Sequence, residues 1–511
     1  MRIRNYETLT NHGNIKGRRM LADIMEAGLS AGNPYNNTLK LMSIKGNKLI
    51  FDNSKMEAPG DPRRGPAVYD LDKIERIFVF AVGKGILYMV KAVEEVLGDR
   101  LTGGYAIGKH GDEIITGDKI KVTLGGHPVP DEHGVRGCEE MLEMIASLSL
   151  TENDLALTVM GNGCSSLANL PDKSISVQDI KDYTQLCLID SGISTNEFSY
   201  LRNQVDRFRG GRILQAIRPA QIVNLMGIGP VMAGSIGKFP TDYECFTKGN
   251  YWLPNMADCT TTAEAIEIAK KWRVWDRLPQ SIRDKLLSNP PQSATLGWEE
   301  YEGYNARLFC VMPSSMSALG AAMDKAKEFG FETRILTRAT LCEAAPVGRY
   351  VAQVAKNCAR EGEPFKPPIA LFGTGELIVT VGGESGIGGT NQEYCVSAAI
   401  VLAGDKQVVM SAIDTDGTDG PGGNFDQEAW DQGIRCLTGG IVDGYTAAEA
   451  KEKGVDLFGA MKTHGTSKAL WDVGSGIAAV QNISVADLHC TLILAKEEDD
   501  DSAKGTNPHE G

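Results

Sequence analysis

Among 511 residues there are only 7 histidines and 11 cysteines, and no two cysteines stand in a C-x-x-C pair. That absence removes zinc knuckles and dithiol redox motifs from consideration. An odd cysteine count without an export signal fits reduced thiols in a cytoplasm. The N-terminal stretch MRIRNYETLTNHGNIKGRR lacks the apolar core of a secretory signal. Long apolar runs are missing as well. The longest uncharged stretch, Pro219–Gly237, carries Gln221, Asn224, Pro230 and four glycines, too polar and too broken to span a bilayer. Positive charge is in deficit: 52 lysines and arginines against 66 carboxylates leave a net charge of −14. Neither a nucleic-acid surface nor an anionic membrane is therefore an expected partner. A small anionic substrate would need local cations, backbone N–H groups or a bound metal.

What is abundant is glycine, at 58 residues, and it recurs where apolar runs stop. Ile77–Val82 (IFVFAV) reads as a buried strand closed by Gly83-Lys84-Gly85 and followed by the helical run ILYMVKAVEEVLG. Lys119–Leu124, Leu155–Met160 and Ala220–Leu225 repeat the strand-then-glycine theme. This is an α/β pattern, and open α/β sheets bind ligands at the carboxyl ends of their strands. A second block starts near residue 305 with strand candidates Arg307–Met312 and Phe331–Leu336 around the helical MSALGAAMDKAKEFG. Pro364–Pro368 reads as a hinge before a glycine-rich C-terminal portion that opens at Ile369–Phe372 and includes the apolar run Gln407–Ile413. Lys496–Gly511 is charged, poor in apolar residues, and expected to be disordered.

Four loops carry candidate chemistry. In FVFAVGKG, the helix start can offer a backbone N–H cradle and the Lys84 ammonium to a phosphate or carboxylate. Neither the Walker spacing nor a three-glycine dinucleotide fingerprint is present. GGHPVPDEHG, Gly125–Gly134, fixes His127 and Asp131 on a rigid loop, as binding residues or as parts of a structural turn. MGNGCSSLANLP, Met160–Pro171, presents Gly161, Gly163 and Ser165, small enough for backbone amides to approach an anion. Cys164 has no partner base in the sequence that would make it a nucleophile. DTDGTDGPGG, Asp414–Gly423, is not an EF-hand, yet magnesium needs only one or two carboxylates plus substrate phosphates. Asp416 and Asp419 at the end of a strand are the candidates for that metal, with a plain turn as the alternative.

Taken in order, these motifs resemble those of the glycerate 2-kinases, which join a DUF4147 N-terminal domain to a MOFRL C-terminal domain. Members have also been labelled hydroxypyruvate reductases. The resemblance runs from about Arg18 to Leu494 through RRMLADIMEAGLSAGNP, GKG, HPVPDEHG, LRNQVDRFRGGRIL (Leu201–Leu214), DCTTTAEA, WDRLP, GELIVTV, GGTNQE and TDGTDGP. It implies a Rossmann-like N-terminal α/β domain (15–304), a connecting α/β segment (305–367) and a MOFRL-like α/β domain (368–495), with a cleft between the domains. It also implies ATP and Mg²⁺ as co-substrates and a small hydroxy acid as acceptor. On this resemblance Lys84 steadies phosphoryl oxygens or the acid, and Arg202 clamps the carboxylate. Gly83, Gly161, Gly163, Ser165, His127, Asp131, Glu376, Asn391 and Glu393 line the site, and Asp416 and Asp419 hold the metal.

The departures from the family pattern are equally specific. Thr390 stands where G-G-R-N-Q-E has arginine, and Met160–Cys164 replaces S-G-G-G-S. Leu201–Asp206 replaces V-R-K-H-L-S, and MGIGP at Met226–Pro230 replaces S-D-V-x-G-D with its two aspartates. A late T-G-P-T-G-T-N-V motif is only faint in VGSGIAAV, Val473–Val480. A lost arginine can cost a phosphoryl transferase on the order of a thousandfold. Three readings therefore stay open: a kinase for glycerate or a related hydroxy acid, a changed reaction on the same scaffold, and a non-catalytic ligand-binding subunit. A homo-oligomer or a partner subunit is compatible with each. A reductase reading would require saturable NAD(P)H binding, for which no fingerprint exists.

Overall fold

The computed structural model describes residues 1–496 apart from 53–55, 57, 59, 64, 229–238, 291–294, 312–317, 383–385, 421–424 and 484–485. The tail beyond Lys496, residues 229 and 230 of the MGIGP stretch, Met312 and residues 421–423 of the aspartate loop lie outside the described residues. Described strands form three sheets. A small antiparallel meander comprises β1 (Met42–Lys45), β2 (Lys48–Phe51) and β3 (Ala67–Asp70).

The first large sheet contains β4 (Arg76–Val82), β5 (Gly103–Lys109), β6 (Ile120–Gly125), β7 (Asp154–Gly161), β8 (Gln221–Gly227) and β9 (Ala306–Cys310). Its order is β6-β5-β4-β7-β8-β9, and every pair is parallel. The third, second and first strands thus precede the fourth, fifth and sixth, as in a doubly wound Rossmann sheet. IFVFAV is apolar on both faces because both faces are covered. Phe78, Phe80 and Val82 pack with Met141 and Ile145 of the helix Glu132–Leu148. Ile77, Val79 and Ala81 pack with Leu87, Val90 and Val93 of the helix Ile86–Leu97.

The second large sheet is mixed: β10 (Glu332–Thr340), β11 (Ile369–Gly375), β12 (Val408–Asp414), β13 (Gly439–Asp443), β14 (Gly476–Ile477) and β15 (Asp487–Ile493). In the order β10-β11-β15-β12-β13-β14, only β10 and β11 run parallel. The helices Ala344–Glu361 and Thr390–Leu402 cover one face. The other face is covered by Ala318–Glu328 and by the N-terminal helix Ile15–Ala31, whose Leu21, Ile24 and Met25 pack with Phe372, Val409 and Ile413. In sequence that helix lies at the start of the 15–304 segment, and in space it belongs to the layer of the C-terminal sheet. The fold class expected from sequence, α/β with a Rossmann-like sheet and a second α/β unit, is the one observed.

One buried side chain fastens the N-terminal helix. The Arg18 Nε donates to Asp443 Oδ2 at 2.5 Å with both side chains fully buried, and its other nitrogens donate to the Leu9 carbonyl, Thr446 Oγ1 and Ser475 Oγ. Burial alone would raise the Asp443 carboxyl, but Arg18 and the surrounding donors outweigh it and hold it below the ordinary aspartate range. Removing one partner strands the other charge in a dry environment, so Arg18→Met should lower stability by about 3–5 kcal/mol in urea unfolding. Because the folded pKa is depressed, this contribution is full above the ordinary aspartate pKa and is lost as pH falls through the folded value. The acid limb of a stability–pH curve should therefore flatten in Arg18→Met.

Candidate active site between the two sheets

The strand order reverses between β4 and β7, and the loops after these strands touch. Gly83 takes φ +141°, and a Cβ there would lie 2.7 Å from the Gly161 backbone. Any side chain would separate the two strand ends at the point where doubly wound sheets bind ligands. The Gly83 N–H donates to the Ile107 carbonyl at 3.0 Å, and the Lys84 N–H donates to the Asn162 carbonyl at 2.8 Å. Lys84 is thus locked between the ends of β5 and β7. A Cβ on Gly163, at φ +71°, would meet the His127 ring at 2.8 Å and Lys84 Cγ at 3.2 Å. Gly83, Lys84, His127, Gly161 and Gly163 therefore form one cluster.

Arg202 joins it from the helix Thr195–Val205, which Ser194 caps by accepting from the Glu197 N–H at 3.3 Å. Its Nη1 donates to the Ser165 carbonyl at 3.0 Å, and its guanidinium lies over the Phe198 ring at 4.0 Å. Arg209 Nη1 shares the Ser165 carbonyl. Arg202 is only 2% exposed, and its Nε and Nη2 are buried without a hydrogen-bond partner. Burial and the neighbouring Arg209 lower its pKa to about 9. Two unmet guanidinium donors in a dry setting suit a carboxylate or phosphate. His127 is pushed well below the ordinary histidine range by burial and then by Lys84, Lys109 and Arg202, so it is a neutral imidazole at physiological pH.

The mixed sheet supplies the opposite charge. Register brings three strand ends together: Asp414 of β12 and Gly375 of β11 both pair with Asp487 of β15, and Glu376 follows Gly375 directly. Asp416 forms an ion pair with Lys84. Asp416 Oδ1 accepts from the Thr418 N–H and hydroxyl at 2.8 and 2.9 Å, and its carbonyl accepts from the Asn482 N–H at 2.7 Å. Burial opposes the charge on Lys84, but Asp416 and Asp414 more than compensate and hold its pKa above the ordinary lysine range. Asp414 is pushed well up by burial and by Asp416, Asp487 is pushed well up by burial, and Glu376 is raised by burial. Glu376 is itself exposed, so its crowding comes from surrounding protein rather than full enclosure.

Other expected residues serve the framework around this centre. Asp419 accepts from Thr390 Oγ1 at 3.1 Å and from the N–H groups of Asn391 and Gln392 at 3.2 and 2.9 Å, which makes it the cap of the helix Thr390–Leu402. Asn391 Nδ2 donates to Asp487 at 2.7 Å. Glu393 pairs with His464 Nδ1 at 2.8 Å. Asp131 caps the helix Glu132–Leu148 through the Gly134 N–H at 2.9 Å and pairs with His110 Nε2 at 2.5 Å. Sequence reasoning missed Asp414 as a site residue, and it missed Lys109 because no strand was foreseen at Gly103–Lys109. A separate polar cavity of about 210 Å³ is lined by Asp172, Gln204, Arg212 and Lys285, and it reaches neither Lys84 nor Asp416.

Among the described residues no three histidine, cysteine or acidic side chains form a ready metal cage. Magnesium does not require one, because one or two carboxylates suffice when phosphates supply the rest. The hard oxygens of Asp414 and Glu376 fit this requirement. Neither Asp414 Oδ2 nor the Glu376 carboxylate has a hydrogen-bond or ion-pair partner among the described residues, and mutual repulsion in the carboxylate cluster favours a cation.

Comparison with known proteins adds an independent line. Residues 20–233 match the family described as "Domain of unknown function (DUF4147)", and residues 369–482 match the MOFRL family. The glycerate 2-kinase of Pyrococcus horikoshii is 30% identical over 461 residues, spanning 88% of this chain and 93% of its own. The D-glycerate 2-kinase of Thermotoga maritima is 31% identical over 422 residues, spanning 82% of this chain and 91% of its own. The crystal structure of a glycerate kinase from Thermotoga maritima has a TM-score of 0.66 at 28% identity, covering 94% of this chain and 100% of that one.

The location of Cys164 allows a direct check on the glycine loop. The residue is buried and its thiol is pushed up to about 12 by burial, so the thiolate needed for nucleophilic attack is scarce at neutral pH. Iodoacetamide at pH 8 followed by peptide mass mapping should label the exposed Cys259 and Cys342 first and leave Cys164 unmodified in the folded protein. Labelling of Cys164 at a comparable rate would contradict this packing.

Proposed function

This chain belongs to the glycerate 2-kinase family, and we propose that it transfers the γ-phosphoryl group of ATP to the 2-hydroxyl of glycerate or a closely related hydroxy acid. The observation that carries this reading is the division of charge across the cleft. Lys84, Lys109 and Arg202 stand at the ends of the parallel sheet and its flanking helix, opposite Asp414, Asp416, Glu376 and Asp487. Phosphoryl transfer asks a protein mainly for positioning and charge stabilisation, which such an arrangement can supply.

In this reading the unmet donors of Arg202 grip the substrate carboxylate and orient the acid. Lys84 stabilises the equatorial oxygens of the phosphoryl group in flight, exchanging its contact with Asp416 for one with the ligand. Asp416, fixed by Thr418, orients the acceptor hydroxyl and takes up its proton. The backbone of Gly161–Ser165 offers small-residue access to an anion. Asp414 and Glu376, rather than the expected pair Asp416 and Asp419, are the residues that would hold Mg²⁺, because Asp419 is committed to capping a helix. When bound, the metal would neutralise charge on the phosphate oxygens.

Thr390 favours a second reading in which the acceptor is a different small hydroxy acid. The arginine common at this position is absent, and the threonine hydroxyl instead donates to Asp419. Both readings are tested by incubating the purified protein with ATP, Mg²⁺ and D-glycerate, measuring ADP release, and identifying the product by NMR. We expect 2-phosphoglycerate, and a loss on the order of a thousandfold in kcat for Lys84→Ala with an unchanged far-UV spectrum. ADP release with other hydroxy acids but not with glycerate would favour the second reading. No ADP with any acceptor, from demonstrably folded protein, would refute the kinase assignment.

A further inference from the structure

A second lysine stands beside Lys84. Lys109 is the last residue of β5, the strand hydrogen-bonded to β4 on one side and β6 on the other. Its register partner on β6 is Gly125, two residues before His127, so Lys109 sits between the Lys84 loop and the His127 loop. The residue is 8% exposed, yet its ammonium has no hydrogen bond and no carboxylate within ion-pair distance among the described residues. Lysine is almost never buried without a partner, and an ammonium carries three donors.

The backbone around Lys109 is held from both sides of the cleft. Its N–H donates to Asp112 Oδ2 at 3.0 Å, and the other oxygen of Asp112 accepts from the Gln481 side chain of the C-terminal portion. Burial and the neighbouring Lys84 charge push the Lys109 pKa down by more than Asp416 and Asp112 push it up. Nearby, His127 Nδ1 and two Arg202 nitrogens are buried without partners. Lys84 differs in one respect, since Asp416 already occupies its ammonium.

We infer that Lys109 is the open cation of a phosphoryl-binding subsite at the ends of β5 and β6, separate from the Lys84–Asp416 pair, that takes a tetrahedral phosphate oxyanion. The assignment rests on the proposed kinase reading for its biological ligand, a nucleotide phosphate or a phosphorylated hydroxy acid. Its chemistry can be tested without turnover.

Isothermal titration with inorganic phosphate, ATP, 2-phosphoglycerate and D-glycerate, on wild type, Lys109→Met and Lys109→Arg, separates the outcomes. Lys109→Met should bind inorganic phosphate about tenfold or more weakly, Lys109→Arg should recover most of that loss, and D-glycerate affinity should stay within about twofold. A parallel loss with ATP alone assigns the oxyanion to the nucleotide, and a loss with 2-phosphoglycerate alone assigns it to the product. Wild-type affinity for phosphate in Lys109→Met, or no phosphate binding by the wild type, overturns the subsite. Should Lys109→Met unfold, Lys109→Gln gives the same readout with a polar side chain. Phosphate binding through Lys109 without phosphorylation of any hydroxy acid would leave the subsite standing and remove the kinase reading. Turnover of glycerate with an unaffected Lys109→Met would do the reverse.

Discussion

The buried ion pair between Lys84 and Asp416 joins two sheets that have otherwise separate hydrophobic cores. Each charge would be costly alone, because removing an ion from water costs several kcal/mol even after relaxation. Together they offset that cost only if both strand ends arrive at the same place. The Gly83–Gly161 approach on one side and the Asp416–Asn482 hydrogen bond on the other are the constraints that deliver them. The pair therefore couples the relative position of the sheets to the chemistry of the cleft. A ligand that binds Lys84 must replace Asp416 or share the lysine with it.

Topology explains why the two walls carry opposite charge. In the parallel sheet all six strands end on the same side, so the loops bearing Lys84, Lys109, His127 and Ser165 collect at one edge. In the mixed sheet β15 runs against both β11 and β12, which puts the start of one strand beside the ends of two others. Asp487, Asp414 and Glu376 are brought together by that register although up to 111 residues of sequence separate them. Burial is the main cause of the raised Asp414 and Asp487 pKa values, and neighbouring carboxylates add to it.

Much of this was readable in the sequence, and the failures have physical causes. Strands such as IFVFAV announce themselves because both faces are apolar, and the glycines after them mark the ligand edge of the sheet. By contrast GGYAIGK spends three of its seven residues on glycine, and Gly104 is small because a Cβ there would lie 2.2 Å from the Val79 carbonyl oxygen. The close approach that makes this strand central also erased its propensity signal, and Lys109 was hidden with it. Asp419 looked like a metal ligand in a run of aspartates, but its role depends on where the helix Thr390–Leu402 begins in space. Sequence spacing within DTDGTDG cannot distinguish an oxygen facing the cleft from one capping a helix that begins 29 residues earlier. The placement of the N-terminal helix on the C-terminal sheet was equally invisible, since it rests on contacts more than 300 residues away in sequence, the Arg18–Asp443 pair and the packing of Leu21, Ile24 and Met25 on Phe372, Val409 and Ile413.

The chain carries a net charge of −14, yet its cleft presents unpaired cationic donors to an anion. These statements are compatible because charge acts over a limited range: the Debye length is about 8 Å at physiological ionic strength. Distant surface carboxylates are screened before they reach the strand ends, whereas Lys84, Lys109 and Arg202 act through partly desolvated protein at short range. The nearby carboxylates are a different matter. Asp416 occupies the Lys84 ammonium that a bound phosphate oxygen would take, so it competes with the ligand for the lysine. That competition weakens ground-state binding but gives the ammonium an ion partner when the cleft is empty. It also leaves Asp416 beside the reacting centre when a ligand takes its place.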